Sequence, residues 1–388
     1  MLSISRREST SPISFFFLTV PVGISGGFIS VTLPFILTQA GFSVATAGYI
    51  VAIGASAYVF RWVWGPIIDF TLTPRLWYVI GLFSTAGMVF LLGIIPLHLA
   101  NTKLLFTAVF VSQLATTLIM LPLGSFMAHT VSEGEKGRAA GWYEAGNVAG
   151  AGISITGGIW LAAHHSKEVA AGGVSAAILV CLVAVFLVSE VHALPAETLR
   201  QGMSFLGKDL RSVLSSKASL FIVVLVCLPI GTGAMTHQWG GVWRDWHTTP
   251  DLVALFTGIL SGLISALGCV LAGWVADQFG RWRAYFGSGI VIAIVAVSMA
   301  LAPRTAEAFS TGVLAYSLMF GATQAAFSAL VLFAIGKGAA STKYALLCSL
   351  GNVPIAYMTA LDGWVHDKYG SAWMLHFDGL SGLFFIVI

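Results

Sequence analysis

Of the ionisable side chains within long apolar stretches of the sequence, the clearest cases are Arg61, Glu144, Asp362 and Asp378, and His129 lies at the end of one such stretch. A charged group in the middle of a membrane helix costs about 2.5–3.5 kcal/mol on insertion scales, so its retention favours a functional role. A buried carboxyl group can take up a proton on one side of a membrane and release it on the other. We therefore predict Glu144 as a proton-coupling site, near Arg61 or His129. The alternative is a permanent structural ion pair that locks helices together.

A rival proton site lies later in the sequence. Asp362 and Asp378 fall in the predicted outer part of two spans, close in sequence to His366 and His376. Acids and histidines together can pass a proton between them. Each of these acids is alternatively a solvated residue at the membrane interface.

Uncharged polar residues inside the apolar stretches are the candidates for contact with a solute. Among them His237, Gln238 and Trp239 form the densest polar and aromatic group, for which a packing or interface role is the alternative. Few charges and many aromatic residues favour a neutral or singly charged, bulky solute with an apolar part. The predicted solute-binding residues are Gln113, Asn147, Thr236, His237, Gln238, Tyr316, Gln324 and Asn352.

The composition places these residues in an integral membrane protein. Hydrophobic residues make up 57% of the chain and charged residues 9%, and the mean hydropathy is +0.90. The net charge of +3 therefore says little about nucleic acid, which we do not expect as a partner. The four cysteines lack the spacing of a metal site or a disulfide framework. No phosphate-binding loop or hydrolase motif occurs, so we expect no enzyme activity, no cofactor and no metal.

The apolar stretches have the length of membrane helices and predict an all-α fold with twelve spans. Residues 1–190 and 217–388 each form a six-helix bundle in this prediction. Residues 191–216 form a cytosolic linker that contains an interfacial helix or is an irregular tether. The predicted spans are 14–38, 44–68, 76–97, 103–130, 139–163, 168–190, 217–240, 250–276, 284–303, 307–335, 344–366 and 371–388.

The distribution of basic residues predicts the orientation. With the N-terminus inside, thirteen Lys and Arg fall in cytosolic segments, five in outer segments and Arg61 within a span. The excess follows the positive-inside rule. We expect a monomer in the inner (cytoplasmic) membrane, with both termini cytosolic.

The two predicted bundles show signs of a duplication. The segment GWVADQFGRWR, which begins at Gly273, has a weaker counterpart that begins at Gly65, at an offset of 208 residues. Asp69 and Asp277 have the same offset, as do Pro21 and Pro229. Two similar halves related by an axis along the membrane normal are a known plan of transporters.

Taken together, the twelve spans, the central linker and this segment resemble the major facilitator superfamily. Its loop motif G-x-x-x-D-x-x-G-R is matched at Gly273, Asp277, Gly280 and Arg281, and in part at Gly65 and Asp69. The resemblance implies that these residues brace the inner gate while the protein faces outward.

A narrower resemblance concerns the second and eleventh spans. Residues 57–69, AYVFRWVWGPIID, and residues 342–347, TKYALL, are similar to AmpG-like muropeptide permeases and related peptide/acetyl-CoA transporters. The resemblance implies a proton-coupled importer of a cell-wall fragment, siderophore or acyl conjugate. The alternatives are a drug or metabolite exporter, a non-transporting receptor on the same scaffold, and a membrane enzyme.

Overall fold

The computed structural model describes residues 10–42, 44–98, 101–189, 217–249, 252–253, 255–336 and 339–387, with single helical residues at 204, 208 and 211. Within these ranges all regular secondary structure is helical. Eight of the described helices are long and apolar enough to cross a membrane. The predicted all-α membrane fold is thus confirmed, whereas the predicted interfacial helix in 191–216 falls almost entirely outside the described residues.

The first six segments are helices α1 to α6, which match the first six predicted spans. Helix α2 comprises three consecutive pieces, with a tight 3₁₀ turn in the middle. Side-chain caps at Thr73 and Ser166 begin α3 and α6. The bounds are Ser14–Gln39 (α1), 44–70 (α2), Pro74–Ile94 (α3), Thr102–Thr130 (α4), Lys136–His164 (α5) and Lys167–Leu187 (α6).

The last six segments are α7 to α12. Five of them are continuous, and α8 begins with a π-helical turn. The segment α7 consists of four short pieces, Lys217–Leu225, Ala234–His237, Trp239–Val242 and Trp243–Trp246. The other bounds are Leu255–Phe279 (α8), Arg281–Leu301 (α9), Ala306–Ile335 (α10), Ala340–Tyr369 (α11) and Ser371–Val387 (α12).

The interruption of α7 corrects the prediction of one bent span over 217–240. Pro229 has no N–H to donate, and Gly231 and Gly233 adopt left-handed backbone angles, with φ of 58° and 70°. Together they end the first piece of α7 and leave an unwound stretch at 226–233. Tyrosine hydroxyl groups of other helices donate to two carbonyl groups of this stretch, Tyr285 to Ile230 at 3.3 Å and Tyr357 to Cys227 at 3.2 Å.

Helices α1 and α5 pack main chain against main chain. A Cβ atom on Gly146 would lie 2.2 Å from the carbonyl oxygen of Phe16, and one on Gly150 would lie 2.1 Å from that of Val20. Only glycine permits this approach. Gly152, two residues further along α5, has open space in place of a neighbour.

The first six segments meet the last six mainly through five helix pairs: α2 with α11, α4 with α10, α4 with α11, α5 with α8, and α5 with α10. The contacts of α2 with α11 and of α5 with α8 include the ends of these helices that adjoin the connections after α2, α4, α8 and α10. We call this end of the molecule the basic end, because Arg75, Lys136, Arg138, Arg281 and Arg283 lie there. It is the end predicted to face the cytosol.

Candidate functional site

Asp69, at the end of α2, holds the beginning of α11. Its carboxylate accepts hydrogen bonds from the N–H groups of Ser341 and Thr342, at 3.2 and 3.0 Å, and from the Thr342 hydroxyl at 2.7 Å. Helix α11 begins at Ala340, so these N–H groups belong to its first turn and have no partner within the helix. The negative charge also lies at the positive end of the helix dipole.

Asp277 makes the equivalent contact from α8 to the beginning of α5. It accepts from the N–H groups of Gly137 and Arg138, at 2.7 and 2.9 Å, and from Nε of Arg138 at 3.0 Å. Its side chain is only 4% exposed, which strengthens this charge-assisted contact relative to a surface ion pair. The two aspartates thus join the first and last six segments twice, in the same way and at the same end.

The glycines of the same motif lie where the paired helices cross. A Cβ atom on Gly65 would lie 2.6 Å from Cα of Thr342, and one on Gly273 would lie 2.6 Å from the carbonyl oxygen of Gly137. The remaining motif residues serve the turn after α8. Gly280 has a φ of 94°, and the guanidinium of Arg281 lies 4.4 Å from the ring centroid of Phe333 in α10. Arg281 therefore contacts α10 from the beginning of α9, and its role in the gate stays a prediction.

Glu144 and Arg61 also reach across between the two sets. The Glu144 carboxylate accepts a hydrogen bond from the Ser328 hydroxyl of α10 at 2.6 Å. Nε of Arg61, a residue that is 6% exposed, donates to the Ser349 hydroxyl of α11 at 3.2 Å. The two charges are close enough to interact, but they make no direct ion pair. Each of the two charged groups is hydrogen-bonded to a serine from the opposite set, and the role of the pair in proton coupling stays a prediction.

His129 makes its described contact within its own helix. Its Nδ1 lies 2.9 Å from the carbonyl oxygen of Ser125, one turn earlier in α4. Glu144 is engaged by Ser328. The Glu144–His129 pair stays a prediction.

Gln113 belongs to a closed hydrogen-bond network inside the first six segments. Its amide donates to Ser25 of α1 at 3.1 Å and accepts from the Tyr58 hydroxyl of α2 at 2.6 Å. Ser25 in turn contacts Thr116 at 2.8 Å. At 1% exposure Gln113 is positioned to tie α1, α2 and α4 together and does not face an open passage.

Gln324 and Asn352, two of the residues predicted to contact the solute, line one cavity of about 40 Å³. Thr323, Tyr285 and the unwound stretch of α7, which includes Thr232, complete its lining. Asn147, the predicted equivalent of Asn352, is not part of this cavity. Its main chain lies against Gly23 where α1 crosses α5.

A trio of consecutive residues in α7, Thr236, His237 and Gln238, was predicted to bind the solute. Two of the three instead hold α7 in place. The Thr236 hydroxyl donates to the carbonyl oxygen of Gly233 at 2.7 Å, and the Gln238 amide donates to that of Thr359 in α11 at 2.8 Å. His237 between them is exposed. The structure therefore leaves His237 as the member of the trio that is free to meet a solute.

Asp362, Asp378 and Tyr316 form a second buried acidic group, within the last six segments. The Tyr316 hydroxyl donates to the Asp378 carboxylate at 2.9 Å. Asp362 is completely buried, and its charge acts on both Asp378 and Tyr316. His366, expected near these acids, instead contacts Asp245 at 3.0 Å. Among the described residues, no three His, Cys, Asp or Glu side chains are grouped as in a metal centre.

Several residues of the site were not identified from the sequence. Ser328 and Ser349 form hydrogen bonds with the two buried charged groups, and Ser341 and Thr342 form hydrogen bonds with Asp69. Small hydroxyl residues are common in membrane helices, so nothing marked the first two. The segment TKYALL at 342–347 was noted as a resemblance without a role for Thr342.

The helical fold and the paired aspartate contacts define a multi-pass membrane protein whose two sets of six segments close against each other at one end. The family model described as Major Facilitator Superfamily matches residues 15–359. The chain therefore belongs to this superfamily of membrane transporters. Among curated proteins no sequence match is found.

Solved structures of the superfamily share the fold over nearly the whole chain. The transporter FucP in the outward conformation gives a TM-score of 0.74 at 13% identity, covering 98% of this chain and 99% of that one. The human organic anion transporter MFSD10 gives 0.72 at 16%, covering 97% and 98%. The proton:xylose symporter XylE gives 0.66 at 13%, covering 97% and 94%. These findings support the superfamily and give no support to the muropeptide-permease branch.

Proposed function

We propose that the protein is a proton-coupled secondary active transporter that works by alternating access. The observation that carries the proposal is the pair of contacts made by Asp69 and Asp277. Each holds the first turn of a helix from the opposite set of segments through a few hydrogen bonds. Such contacts can break and form again at modest cost, as an inner gate requires.

The orientation of the gate follows from the charge distribution. If the basic end faces the cytosol, the contacts of Asp69 and Asp277 close the cytosolic side and the protein faces outward. In this state a solute enters from outside and leaves once both contacts break. Import is the direction that we propose, and the two bundles at 1–190 and 217–388 are the bodies that move.

Glu144 is the residue that we propose for proton coupling. Its hydrogen bond to Ser328 joins the two sets of segments, so separation of the sets at the basic end removes this donor and exposes the carboxyl group to water. A proton bound from the outside would then be released to the cytosol. Arg61, engaged by Ser349 on the same interface, would favour that release through its positive charge.

The solute site that we propose lies between the sets, next to the cavity formed by Gln324 and Asn352. The amide groups there are uncharged and suit a neutral solute, and the nearby Tyr285 and Phe327 rings suit its apolar part. Cell-wall fragments, siderophores and acyl conjugates combine these features, and the resemblance of the second and eleventh spans points to the same solutes.

The test is solute uptake by proteoliposomes with an imposed pH gradient, using a panel of muropeptides, siderophores and acyl-CoA conjugates. We expect Glu144→Gln to lose accumulation against a gradient while solute exchange without a gradient continues. Glu168→Gln, which removes a half-exposed carboxylate in the first turn of α6, is the matched control and should behave as wild type.

Full accumulation by Glu144→Gln would show that the proton site is elsewhere. Binding without any exchange would assign a receptor instead of a transporter. Accumulation by inverted vesicles alone would assign export.

A further inference from the structure

We propose that the last six segments contain a binding site for one sodium ion, between Asp378, Asp362, Tyr316 and the unwound stretch of α7. The proposal goes beyond the transport cycle described above, because it concerns the binding of an ion and does not depend on Glu144 or on the identity of the solute.

The first observation is that Asp362 has no hydrogen-bond partner among the described residues. The residue is 0% exposed, and neither of its carboxylate oxygens makes a hydrogen bond within this part of the chain. A buried carboxylate without a partner is costly, so such groups normally meet a donor, a cation or a bound ion. The charged group that acts on Asp362 is Asp378, which has the same sign.

The second observation is that Tyr316 serves only one of the two acids. The Tyr316 hydroxyl donates to the Asp378 carboxylate at 2.9 Å. Tyr316 is held in place by burial and by an edge contact with Trp239, with 5.5 Å between ring centroids. The Asp362 oxygens therefore do not share this donor.

The third observation is a small cavity beside Asp378 and Tyr316, whose lining does not include Asp362. Its volume is about 10 Å³, which is room for one occupant the size of a water molecule. The carbonyl oxygen of Pro229 points towards α12, since a Cβ atom on Gly382 would lie 3.2 Å from it. None of the described residues donates to this oxygen. The cavity is lined by Pro229, Gly231, Thr232, Gly289, Tyr316, Asp378, Gly382 and two apolar residues of α9.

These features together favour a metal cation over a proton alone. A proton shared by the two acids would leave Pro229 and part of the Asp362 carboxylate without a partner. A small hard cation binds several oxygen atoms at once, and unwound stretches of membrane helices supply carbonyl oxygens to sodium ions in transporters. No Lys, Arg or His lines the cavity. If one acid keeps its proton, the single remaining negative charge matches a monovalent ion.

The test is sodium binding by the purified protein, without any transport step. Thermal unfolding is followed by tryptophan fluorescence while NaCl replaces choline chloride at constant ionic strength, and ²²Na⁺ binding is measured by scintillation proximity. We expect a saturable stabilisation by sodium that potassium does not reproduce. Asp378→Asn and Asp362→Asn should abolish it, and Tyr316→Phe should weaken sodium binding by about tenfold or more. Glu307→Gln, an exposed acid in the first turn of α10, is the matched control and should bind normally.

The proposal is wrong if wild type shows no saturable sodium binding, if Asp378→Asn binds as well as wild type, or if only calcium or magnesium stabilises the protein. Stabilisation that follows pH alone would assign a shared proton and would equally overturn it. If the asparagine variants do not fold, unchanged ²²Na⁺ binding by Tyr316→Phe would refute the site. None of these results bears on the uptake test of Glu144, so the two proposals fail separately.

Discussion

Removal of the Asp277 carboxylate should open the basic end of the molecule. The residue accepts three hydrogen bonds from α5, two from first-turn N–H groups and one from a guanidinium. At about 0.5–1.5 kcal/mol each in net terms, they contribute about 1.5–4.5 kcal/mol to closure. Because about 1.4 kcal/mol corresponds to a factor of ten, Asp277→Ala should raise the open population by about one to three orders of magnitude.

Cys348 provides an internal reporter for this opening. It is a free, partly buried cysteine of α11 that immediately precedes Ser349, the partner of Arg61. Alkylation of Cys348 by a membrane-impermeant reagent, applied from the basic end and quantified by mass spectrometry, should accelerate in proportion to the open population. The matched control is Glu135→Gln. This substitution removes the other carboxylate that pairs with Arg138, and that carboxylate does not connect the two sets of segments.

The two variants together distinguish loss of the contact between the two sets from a general effect of removing a negative charge near Arg138. We expect Glu135→Gln to label at close to the wild-type rate, because its partly exposed contact with Arg138 lies within one segment. If both variants label alike, or if Asp277→Ala labels no faster than wild type, then Asp277 does not hold the basic end closed.

Three further substitutions test the same structure. Asp69→Ala should accelerate labelling in the same assay by a similar factor, since this carboxylate also accepts three hydrogen bonds across the interface, and an unchanged rate would remove it from the gate. Gly150→Ala should lower the free energy of unfolding by about 1–3 kcal/mol through overpacking, whereas Gly152→Ala, with open space around it, should change it by less than about 0.5 kcal/mol; thermal unfolding in detergent decides whether the two differ. Gly231→Ala should cost at least about 1 kcal/mol, because its φ of 58° is left-handed, and an unchanged melting temperature would contradict that geometry.

The repeated motif allowed the residues of the gate to be predicted, but not their partners. Asp69 and Asp277 were found because their spacing repeats and because a carboxylate at a helix end has a definite use. Their partners are mostly main-chain N–H groups at the beginning of α5 and α11, which every residue possesses. Side-chain type therefore carried no signal for Gly137 or Ser341.

The buried charges show a different limit. Glu144 and Arg61 stood out because a charge within an apolar stretch is costly, and both are indeed held at the interface between the sets. The sequence suggested that they pair with each other, since opposite charges usually do. Small hydroxyl groups from the opposite set are the actual partners, and contacts between distant segments cannot be obtained from the periodicity of either one.

The seventh segment was predicted to bend, and it is instead unwound. Pro229, Gly231 and Gly233 weaken a helix, but membrane helices often tolerate such residues with no more than a kink. The difference depends on partners elsewhere in the chain, here Tyr285 and Tyr357, whose hydroxyl groups bind the freed carbonyl oxygens. The positions of Pro and Gly in the sequence could therefore indicate where the helix is destabilised, but not how many residues unwind.

The glycine contact of α1 with α5 gives the two halves of the molecule unequal stiffness. The main chains of α1 and α5 touch without intervening side chains, so the helices have no room to slide past each other. We therefore expect them to move as one rigid body. The corresponding place in the other half is occupied by the unwound stretch of α7, which we expect to deform more easily. We therefore expect the conformational change to bend the protein mainly in α7. The difference between the two halves, and not their similarity, would determine where the protein bends.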